Sequence, residues 1–151
     1  MSTSPLDNDI RLRKLELEDY NRGYLQLLEQ LTTVGDITQT KWKTTFDDLP
    51  SNTHIYVIED LDSQQVIAAA SLFIEQKFIR NCHCCGHIED VVVAQQYRRR
   101  NLGRTLVTKL LKIAREEGCY KTILDCDDHN VEFYKKCGLD VKGVQMGTYH
   151  K

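Results

Sequence analysis

Apolar residues recur at two spacings in the first third of the chain, and each spacing predicts a different element. Residues 9–16 alternate roughly between apolar and charged side chains, which is typical of a half-buried strand. Residues 18–31 carry tyrosines and leucines three and four positions apart, which predicts a helix with one apolar stripe. Trp42 and Phe46 indicate a second, short helix over residues 41–48. The chain is therefore expected to begin with one strand and two helices.

The middle of the chain is dominated by strand patterns. Residues 54–77 read as two strands joined at the polar stretch DSQQ, and the second is apolar on both faces, as in a central strand. A further strand is predicted at 86–94, GHIEDVVVA. Residues 102–117 have a wide apolar helical face, and Gly118 suits the left-handed residue just past a helix. The remaining predicted elements are a strand at 120–126, a short helix at 130–137 and a closing strand at 141–150.

This order of elements predicts the α/β class, with helices flanking one central mixed β-sheet. The chain shows neither low complexity nor an internal repeat, so no linker is expected. We expect residues 1–8 to form a disordered N-terminal segment and residues 9–151 to form a single domain. Such an order fits several folds and many functions, so the function has to be argued from particular residues.

Charge and composition narrow the choice of partners. The 20 Lys and Arg residues against 22 Asp and Glu residues give a net charge of −2, so we expect no nucleic acid and no membrane as a partner, and a small substrate. The polar start MSTSPLDNDI lacks the regions of a signal peptide, and the apolar run at 66–74 is far shorter than the roughly 20 residues that span a bilayer. We therefore expect a non-secreted, cytoplasmic protein whose six cysteines are free thiols.

The stretch NCHCCGHIEDVVV raises the question of a metal site, because Cys82, His83, Cys84, Cys85 and His87 lie close together. No second pair of ligands with the spacing of a zinc site follows. Alternation along a strand would also send Cys84 and Cys85 to opposite faces. The pattern favours a sulfur-rich strand entry, and no metal is expected.

The stretch VVVAQQYRRRNLGRTL has the strongest chemical signal. A buried strand ends in a short loop that leads into an amphipathic helix, and such a loop presents unpaired backbone N–H groups at the positive end of the helix dipole. Asn101 and Gly103 sit where the backbone would need a positive φ or a close approach. The charges available for phosphate oxygens come from Arg98, Arg99, Arg100 and Arg104. A solvated basic turn is the alternative, and neither GxGxxG nor GxxxxGK[ST] is present.

Residues 98–103, RRRNLG, resemble the Q/R-x-x-G-x-G/A pyrophosphate loop of the GNAT acetyltransferase superfamily, with Asn101 in place of the first glycine. The stretches GHIEDVVV, GCYKTILDC and NVEFYKKCGL, in this order, resemble the family of glucosamine-6-phosphate N-acetyltransferases. The likeness runs from about residue 77 to 146 and reappears at 31–35. It implies a single-domain GNAT fold and acetyl-CoA as the co-substrate.

For the acetyl-CoA side, the resemblance implies that the pantetheine pairs like an extra strand with the backbone of Val91, Val92 and Val93. An amide near Val92 would hold the oxyanion of the tetrahedral intermediate, and Tyr134 would donate a hydrogen bond to the departing thiolate. Without the resemblance, the valines indicate only a buried strand, and Tyr134 a residue packed beside Phe133. The other residues implied to bind acetyl-CoA are Arg99, Arg100, Asn101, Leu102, Gly103, Arg104 and Asn130.

For the acceptor, the resemblance implies that Glu89 and Asp90 contact the sugar and that the Asp125 backbone carbonyl accepts a proton from the attacking amine. Adjacent strand residues point to opposite faces, so we expect the Glu89 side chain to serve the substrate and Asp90 to act mainly through its backbone unless a bulge intervenes. The remaining residues implied to bind the amino sugar or its phosphate are Thr32, Lys77, Phe78, Ile79, Arg80, Tyr120 and Lys121.

Taken together, the resemblance implies acetyl transfer to glucosamine 6-phosphate by direct attack in a ternary complex, within UDP-N-acetylglucosamine biosynthesis. It also implies a homodimer formed through the C-terminal strand. The chain departs from the family pattern at Asn101 and at its end, Tyr149-His150-Lys151, where the family often has an arginine that reaches the sugar phosphate of the neighbouring subunit.

Three alternatives stay open at this point. The first is a GNAT enzyme for another amine, such as a polyamine or a protein N-terminus; its site should be acidic, which Lys77, Arg80 and Lys121 argue against. The second is a non-catalytic module that binds CoA or a partner protein. The third is a zinc-binding protein built on residues 82–87.

Overall fold

A five-stranded sheet forms the centre of the protein in the computed structural model, which describes residues 7–151. Its strands lie in chain order, with β1 to β4 antiparallel and β5 parallel to β4, so the predicted mixed sheet is confirmed. The first six residues of the predicted disordered segment lie outside the described residues. The strands are β1 (Ile10–Lys14), β2 (Thr53–Asp60), β3 (Gln65–Gln76), β4 (Cys84–Val93) and β5 (Cys119–Ile123).

The sheet is flanked by helices, of which α3 (Leu102–Glu116) is the longest. Its buried side chains follow the predicted apolar face, and Gly118 just beyond it has a φ of 83°, the left-handed conformation expected there. None of the helices described in residues 7–151 has the length and apolar character needed to cross a membrane. The other helices are α1 (Tyr24–Glu29), α2 (Gln39–Asp47) and α4 (Val131–Lys136).

The single helix predicted at 18–31 is wrong, because the structure divides this stretch in two. A 3-10 helix spans Leu17–Asn21, and α1 starts only after Gly23, whose φ of 81° is left-handed. The first part is held by the fully buried Asp19, whose two carboxylate oxygens each accept a hydrogen bond of 2.8 Å from Arg13. The apolar spacing is compatible with both arrangements, so the pattern did not reveal the break.

The closing strand predicted at 141–150 is also wrong for the single chain. In the described part of the chain, no strand lies beyond β5, and Val144, Met146 and Tyr149 are at least 91% exposed. A strand forms only where a neighbouring strand accepts and donates its backbone hydrogen bonds. The segment has no strand to pair with among residues 7–151, so the predicted strand does not form in the single chain.

The connection between β3 and β4 is a left-handed turn at Ile79–Cys82. Arg80, Asn81 and Cys82 have successive φ values of 55°, 58° and 59°, although none of them is glycine. The Gln76 side-chain amide braces the turn, donating to the carbonyls of Lys77 at 2.9 Å and Cys82 at 2.7 Å. This connection was not predictable from turn residues, since it contains neither glycine nor proline.

Candidate active site

The two parallel strands β4 and β5 separate part-way along their length. Their pairing begins at Cys84 with Cys119 and ends at His87 with Ile123, whereas β4 continues to Val93. Beyond His87 this edge of β4 therefore has no neighbouring strand among the described residues. A wedge-shaped opening with free backbone groups on one wall results, which suits a ligand that pairs with a strand.

A β-bulge lies in β4 at the mouth of this opening. Ser71 of β3 faces Glu89, but Ala69 faces Val92, so β4 has one residue more than β3 between these pairs. Asp90 has a φ of 51°, which identifies it as the strained residue. The bulge breaks the alternation of side chains along β4. The Asp90 side chain is therefore not forced to the face opposite Glu89, which was the expectation for a strand without a bulge.

The bulge also changes which face later residues of β4 occupy. Gly86 packs against α3, since a β-carbon added to it would lie 3.1 Å from the Ala114 side chain. Val93 also packs against α3, since a β-carbon added to Gly103 of this helix would lie 3.5 Å from the Val93 side chain. Gly86 before the bulge and Val93 after it thus face the same helix, although they are an odd number of positions apart. The extra residue of the bulge accounts for this.

The direction of the backbone amides follows from one hydrogen bond. The Ala94 N–H donates to the Ile67 carbonyl of β3 at 2.8 Å. Because successive amides of a strand point to opposite sides, the Val93 and Val91 amides point away from β3, into the opening. This direction favours Val91 and Val93 over Val92 as donors to a ligand in the opening, while the role predicted for Val92 stays a prediction.

Three acidic residues predicted for the acceptor site, Glu89, Asp90 and Asp125, influence one another electrostatically near the bulge. Partial burial raises the pKa of Glu89, and the neighbouring charges of Asp125 and then Asp90 raise it further, against an opposing effect of His87. Asp125, which follows the end of β5, is thus within electrostatic range of Glu89. A carboxylate with a raised pKa is a better proton acceptor, which suits a group that takes a proton from an ammonium ion.

The loop between β4 and α3 has the geometry of an anion site. Arg99 and Asn101 have φ values of 70° and 60°, and no side chain caps the first turn of α3. The unpaired N–H groups of that turn are therefore available to a phosphate. Asn101 has the predicted positive φ. Gly103 is helical, and its lack of a side chain lets the Phe133 ring approach closely, because an added β-carbon would lie 3.1 Å from that ring.

The arginines of this loop do not act as one cluster. The Arg100 guanidinium is bonded to Asp7 at 2.9 Å and to Asp9 at 3.1 Å, so its side chain holds the start of the chain instead of extending towards the loop amides. Arg98 donates to the Val93 carbonyl at 3.3 Å. Arg99 and Arg104 form no hydrogen bond or ion pair with another side chain of residues 7–151, which leaves these two as the available cations.

Tyr134 lies on α4 with its ring packed edge-on against Phe133, the centroids 4.9 Å apart. Burial, followed by the nearby thiols of Cys126 and Cys137, raises the pKa of Tyr134 to about 12. Its hydroxyl therefore stays protonated at neutral pH and remains a hydrogen-bond donor. Packing beside Phe133 is compatible with the predicted hydrogen bond from Tyr134 to the departing thiolate, because the ring packs while the hydroxyl remains available. Asn130 lies just before α4, at its N-cap.

A group of cations, which we call the basic cluster (Lys77, Arg80 and Lys121), lies at the far end of β4 and β5. The Arg80 guanidinium and the Lys121 ammonium both approach the Tyr120 ring, at 5.6 Å and 5.5 Å from its centroid. The Lys77 ammonium is bonded to Glu75 at 2.9 Å, and Tyr120 also contributes to its raised pKa. Two of the predicted phosphate contacts, Arg80 and Lys121, therefore lie over one aromatic ring, and Lys77 is within electrostatic range of it.

Other predicted acceptor residues are not part of this group. Phe78 and Ile79 are 94% and 59% exposed on the turn after β3. Thr32 is exposed at the end of α1, where its N–H donates to the Leu28 carbonyl, and no hydrogen bond among residues 7–151 joins it to the basic cluster. Sequence reasoning missed Glu75, although its position two residues before Lys77 on a predicted strand places both on one face.

The cysteine-rich stretch forms the start of β4. Cys84 faces α3, where its thiol donates to the Glu117 carbonyl at 3.4 Å and lies 3.1 Å from the Cys119 sulfur. Cys85 is fully buried, and burial raises the pKa of its thiol. Across residues 7–151, no three His, Cys, Asp or Glu side chains are grouped so that they could hold a metal ion.

A separate cleft of about 820 Å³ lies between α1 and the start of β3. Gln26, Gln65 and Tyr97 are among its lining residues, and none of the predicted site residues is. The predicted site residues therefore lie outside this cleft.

Comparison with known proteins agrees with this geometry. A model of the acetyltransferase (GNAT) family matches residues 11–139. The chain therefore belongs to the acetyltransferase (GNAT) family, and acetyl-CoA is its co-substrate.

The relatives within this family are more specific. Glucosamine 6-phosphate N-acetyltransferase 1 of Dictyostelium discoideum is 43% identical and covers 97% of this chain and 95% of its own length. The Candida albicans glucosamine 6-phosphate N-acetyltransferase is 47% identical over 89% of this chain and 91% of its own. The crystal structure of the Arabidopsis thaliana enzyme of the same name superposes with a TM-score of 0.92 at 41% identity, covering 94% of this chain and 99% of that one. The resemblance inferred from the motifs is confirmed.

Proposed function

We propose that the protein transfers the acetyl group of acetyl-CoA to the 2-amine of D-glucosamine 6-phosphate, giving N-acetyl-D-glucosamine 6-phosphate and CoA. This reaction supplies UDP-N-acetylglucosamine biosynthesis. The observation that carries the proposal is the opening between β4 and β5, which leads from the carboxylates at Glu89 and Asp125 to the uncapped first turn of α3. The names of the relatives support the choice of acceptor.

The acetyl-CoA half of the site uses mainly backbone groups. The diphosphate binds the free amides at residues 101–104, with Arg99 and Arg104 supplying charge, and the pantetheine pairs with the open edge at 91–93. An amide of that edge holds the oxyanion, and the Tyr134 hydroxyl donates to the departing thiolate.

The acceptor half of the site supplies the nucleophile. Glu89 accepts a proton from the 2-ammonium group, the Asp125 backbone carbonyl accepts a hydrogen bond from it, and the free amine attacks the thioester carbon directly. The C–S bond breaks as the tetrahedral intermediate collapses, and the CoA thiolate takes up the proton released by the nitrogen, so no covalent enzyme intermediate forms. Steady-state kinetics with both substrates varied test this route. Intersecting double-reciprocal lines are expected, whereas parallel lines together with an acetylated cysteine would contradict it.

The basic cluster receives the 6-phosphate. Arg80 and Lys121 over the Tyr120 ring, with Lys77 beside Glu75, suit a group with a charge of about −1.5 to −2. The same cations disfavour a polyamine or a protein N-terminus, which carry positive charge themselves.

A thiol-release assay with acetyl-CoA tests the function directly. The acceptor panel contains glucosamine 6-phosphate, glucosamine, a polyamine and a short peptide with a free N-terminus. We expect a strong preference for glucosamine 6-phosphate over glucosamine. Equal rates with the two sugars would remove the proposed role of the basic cluster, and turnover only with the polyamine or peptide would replace the acceptor.

We further propose that the protein is a cytoplasmic homodimer formed through residues 140–151. The exposed apolar side chains of this segment, Val141, Val144 and Met146, support the proposal, because a monomer gains nothing from them. Val144 and Met146, two positions apart, would share one face of a strand that pairs with a second copy. Imaging of a fluorescent fusion, which we expect to be diffuse in the cytoplasm, tests the location.

A further inference from the structure

Glu75 lies beside the basic cluster and has no part in the function described so far. It is a half-buried residue of β3, opposite Cys85 in the antiparallel register. One carboxylate oxygen accepts a hydrogen bond from the Lys77 ammonium at 2.9 Å, and the other accepts one from His87 Nε2 at 2.7 Å. Glu75 thus links Lys77, which follows β3, to His87 of β4.

His87 is the fixed end of this connection. It lies where β4 is paired on both sides, opposite Phe73 of β3 and Ile123 of β5. The hydrogen bonds from Lys77 and then from His87 hold the pKa of Glu75 below its ordinary value, so its carboxylate is ionised at neutral pH. An ionised carboxylate only accepts hydrogen bonds, and Nε2 of His87 therefore carries the hydrogen.

Lys77 is the mobile end of the connection. Its ammonium stands on a flexible four-carbon stem and has three hydrogens, of which Glu75 uses one. Two hydrogens remain for an incoming phosphate. With Glu75 included, the basic cluster has a net charge of +2, close to the opposite of the charge on a phosphate monoester.

We propose that Glu75, anchored by His87, is a positioning residue that holds the Lys77 ammonium in place for the phosphate of the amino sugar, an inference that rests on the function proposed above. A lysine ordered before the substrate arrives loses less freedom on binding. Glu75 thereby lowers the KM for the phosphorylated acceptor and leaves the acetyl-transfer step unchanged.

The test compares Glu75→Gln, Lys77→Met and the double variant in the thiol-release assay. Glu75→Gln keeps the shape of the side chain and removes its charge. We expect it to raise the KM for glucosamine 6-phosphate about tenfold, the size of one hydrogen bond to a charged group, with kcat within about twofold and the KM for acetyl-CoA unchanged. In the Lys77→Met background, Glu75→Gln should add nothing, because its effect acts through Lys77.

His87 supplies a matched pair of variants. The amide of His87→Gln reaches the position of Nε2 and donates to Glu75, so this variant should keep a KM close to that of the wild type. His87→Leu cannot donate and should raise the KM as Glu75→Gln does. Circular dichroism and thermal unfolding of each variant exclude a general loss of structure.

Two sets of results overturn the inference. The first is an unchanged or lower KM for Glu75→Gln while Lys77→Met raises the KM. The second is an increase that is equally large in the Lys77→Met background or for glucosamine without its phosphate. A wild-type enzyme that does not distinguish the two sugars would instead overturn the proposed function, and that outcome is visible before any variant is made.

Discussion

Tyr134 and Glu89 show how two single residues are prepared for different proton chemistry by their surroundings. Burial raises the pKa of both, which keeps the phenol protonated and makes the carboxylate a stronger base. A protonated tyrosine can donate to a thiolate, and a more basic carboxylate can accept from an ammonium ion. The same physical effect therefore serves both ends of one reaction.

Replacing Tyr134 with phenylalanine removes this hydroxyl and keeps the ring that packs on Phe133. We expect kcat to fall by about 10² or more, the usual contribution of a positioned proton donor, with little change in the affinity for acetyl-CoA. Steady-state kinetics and equilibrium binding of CoA measure the two quantities separately. A non-catalytic CoA-binding module would have no turnover in the wild type.

Tyr56→Phe is a suitable control for that experiment. Tyr56 is another half-buried tyrosine with a raised pKa, but it lies on β2 near Lys109, away from the opening. Its replacement should leave kcat unchanged. A similar loss of kcat in both variants would show that the effect of Tyr134→Phe is not specific to the site.

Among the elements, the first turn of α3 and the helix α4 depend on each other. Gly103 lies so close to the Phe133 ring that an added methyl group would approach it to 3.1 Å. This contact sets how near α4, with Tyr134, can lie to the loop that carries the free amides. The spacing of two functional groups is therefore determined by one glycine and one ring.

The variant Gly103→Ala tests this dependence. Alanine favours a helix more than glycine does, by about 1 kcal/mol, so stability should not fall greatly. We nevertheless expect the KM for acetyl-CoA to rise several-fold as α4 is displaced. The additional substitution Phe133→Leu should bring the KM back towards the wild-type value. An unchanged KM for Gly103→Ala would contradict the role given to this contact.

The end of β2 is tied to the loop after β4 through Asp60. Its buried carboxylate accepts hydrogen bonds from the Ser63 hydroxyl at 2.7 Å and the Tyr97 hydroxyl at 2.8 Å. These two contacts hold the pKa of Asp60 below its ordinary value. A lowered pKa in the folded state stabilises the protein above the unfolded-state pKa of about 3.9, and this contribution is lost as the pH falls through the folded value.

We therefore expect Asp60→Asn to lower the free energy of unfolding by about 1 kcal/mol at pH 7. The difference from the wild type should shrink as the pH falls below the unfolded-state pKa of about 3.9 towards the lowered folded-state pKa of Asp60. Urea unfolding at pH 7, 5 and 3.5 measures this difference. A difference that stays constant over this range would contradict the assigned cause.

For the whole molecule, the unpaired C-terminal segment matters most. Tyr149 at its end is fully exposed, like Val144 and Met146 before it. Deleting residues 140–151 should convert a dimer into a monomer, as measured by light scattering after size-exclusion chromatography. Replacing Val144, Met146 and Tyr149 with serine in the full chain should have the same effect. A wild-type monomer, or a truncated protein that is still a dimer, would contradict the proposed assembly.

The sequence predicted those parts of the molecule that depend on local patterns. The location of strand β4, the apolar face of α3 and the left-handed Gly118 are examples, and the motif resemblance located the loop at residues 98–103. It could not predict contacts between distant residues, such as Arg100 with Asp9, or backbone conformations adopted without glycine, such as those at Arg80 and Asp90. Those features are determined by tertiary packing, which overrides the local preference.

The extra residue in β4 gives this strand an unusual sensitivity to changes in length. Removing Asp90 would restore a regular pleat in which Val91 and Val93 still face α3, but it would remove the local bend that the bulge gives β4 at the mouth of the opening. The protein could then still complete its sheet while the edge at 91–93, which we propose holds the thioester, changes its direction. We therefore expect natural and laboratory variants to tolerate substitutions within this strand far more readily than a single-codon deletion.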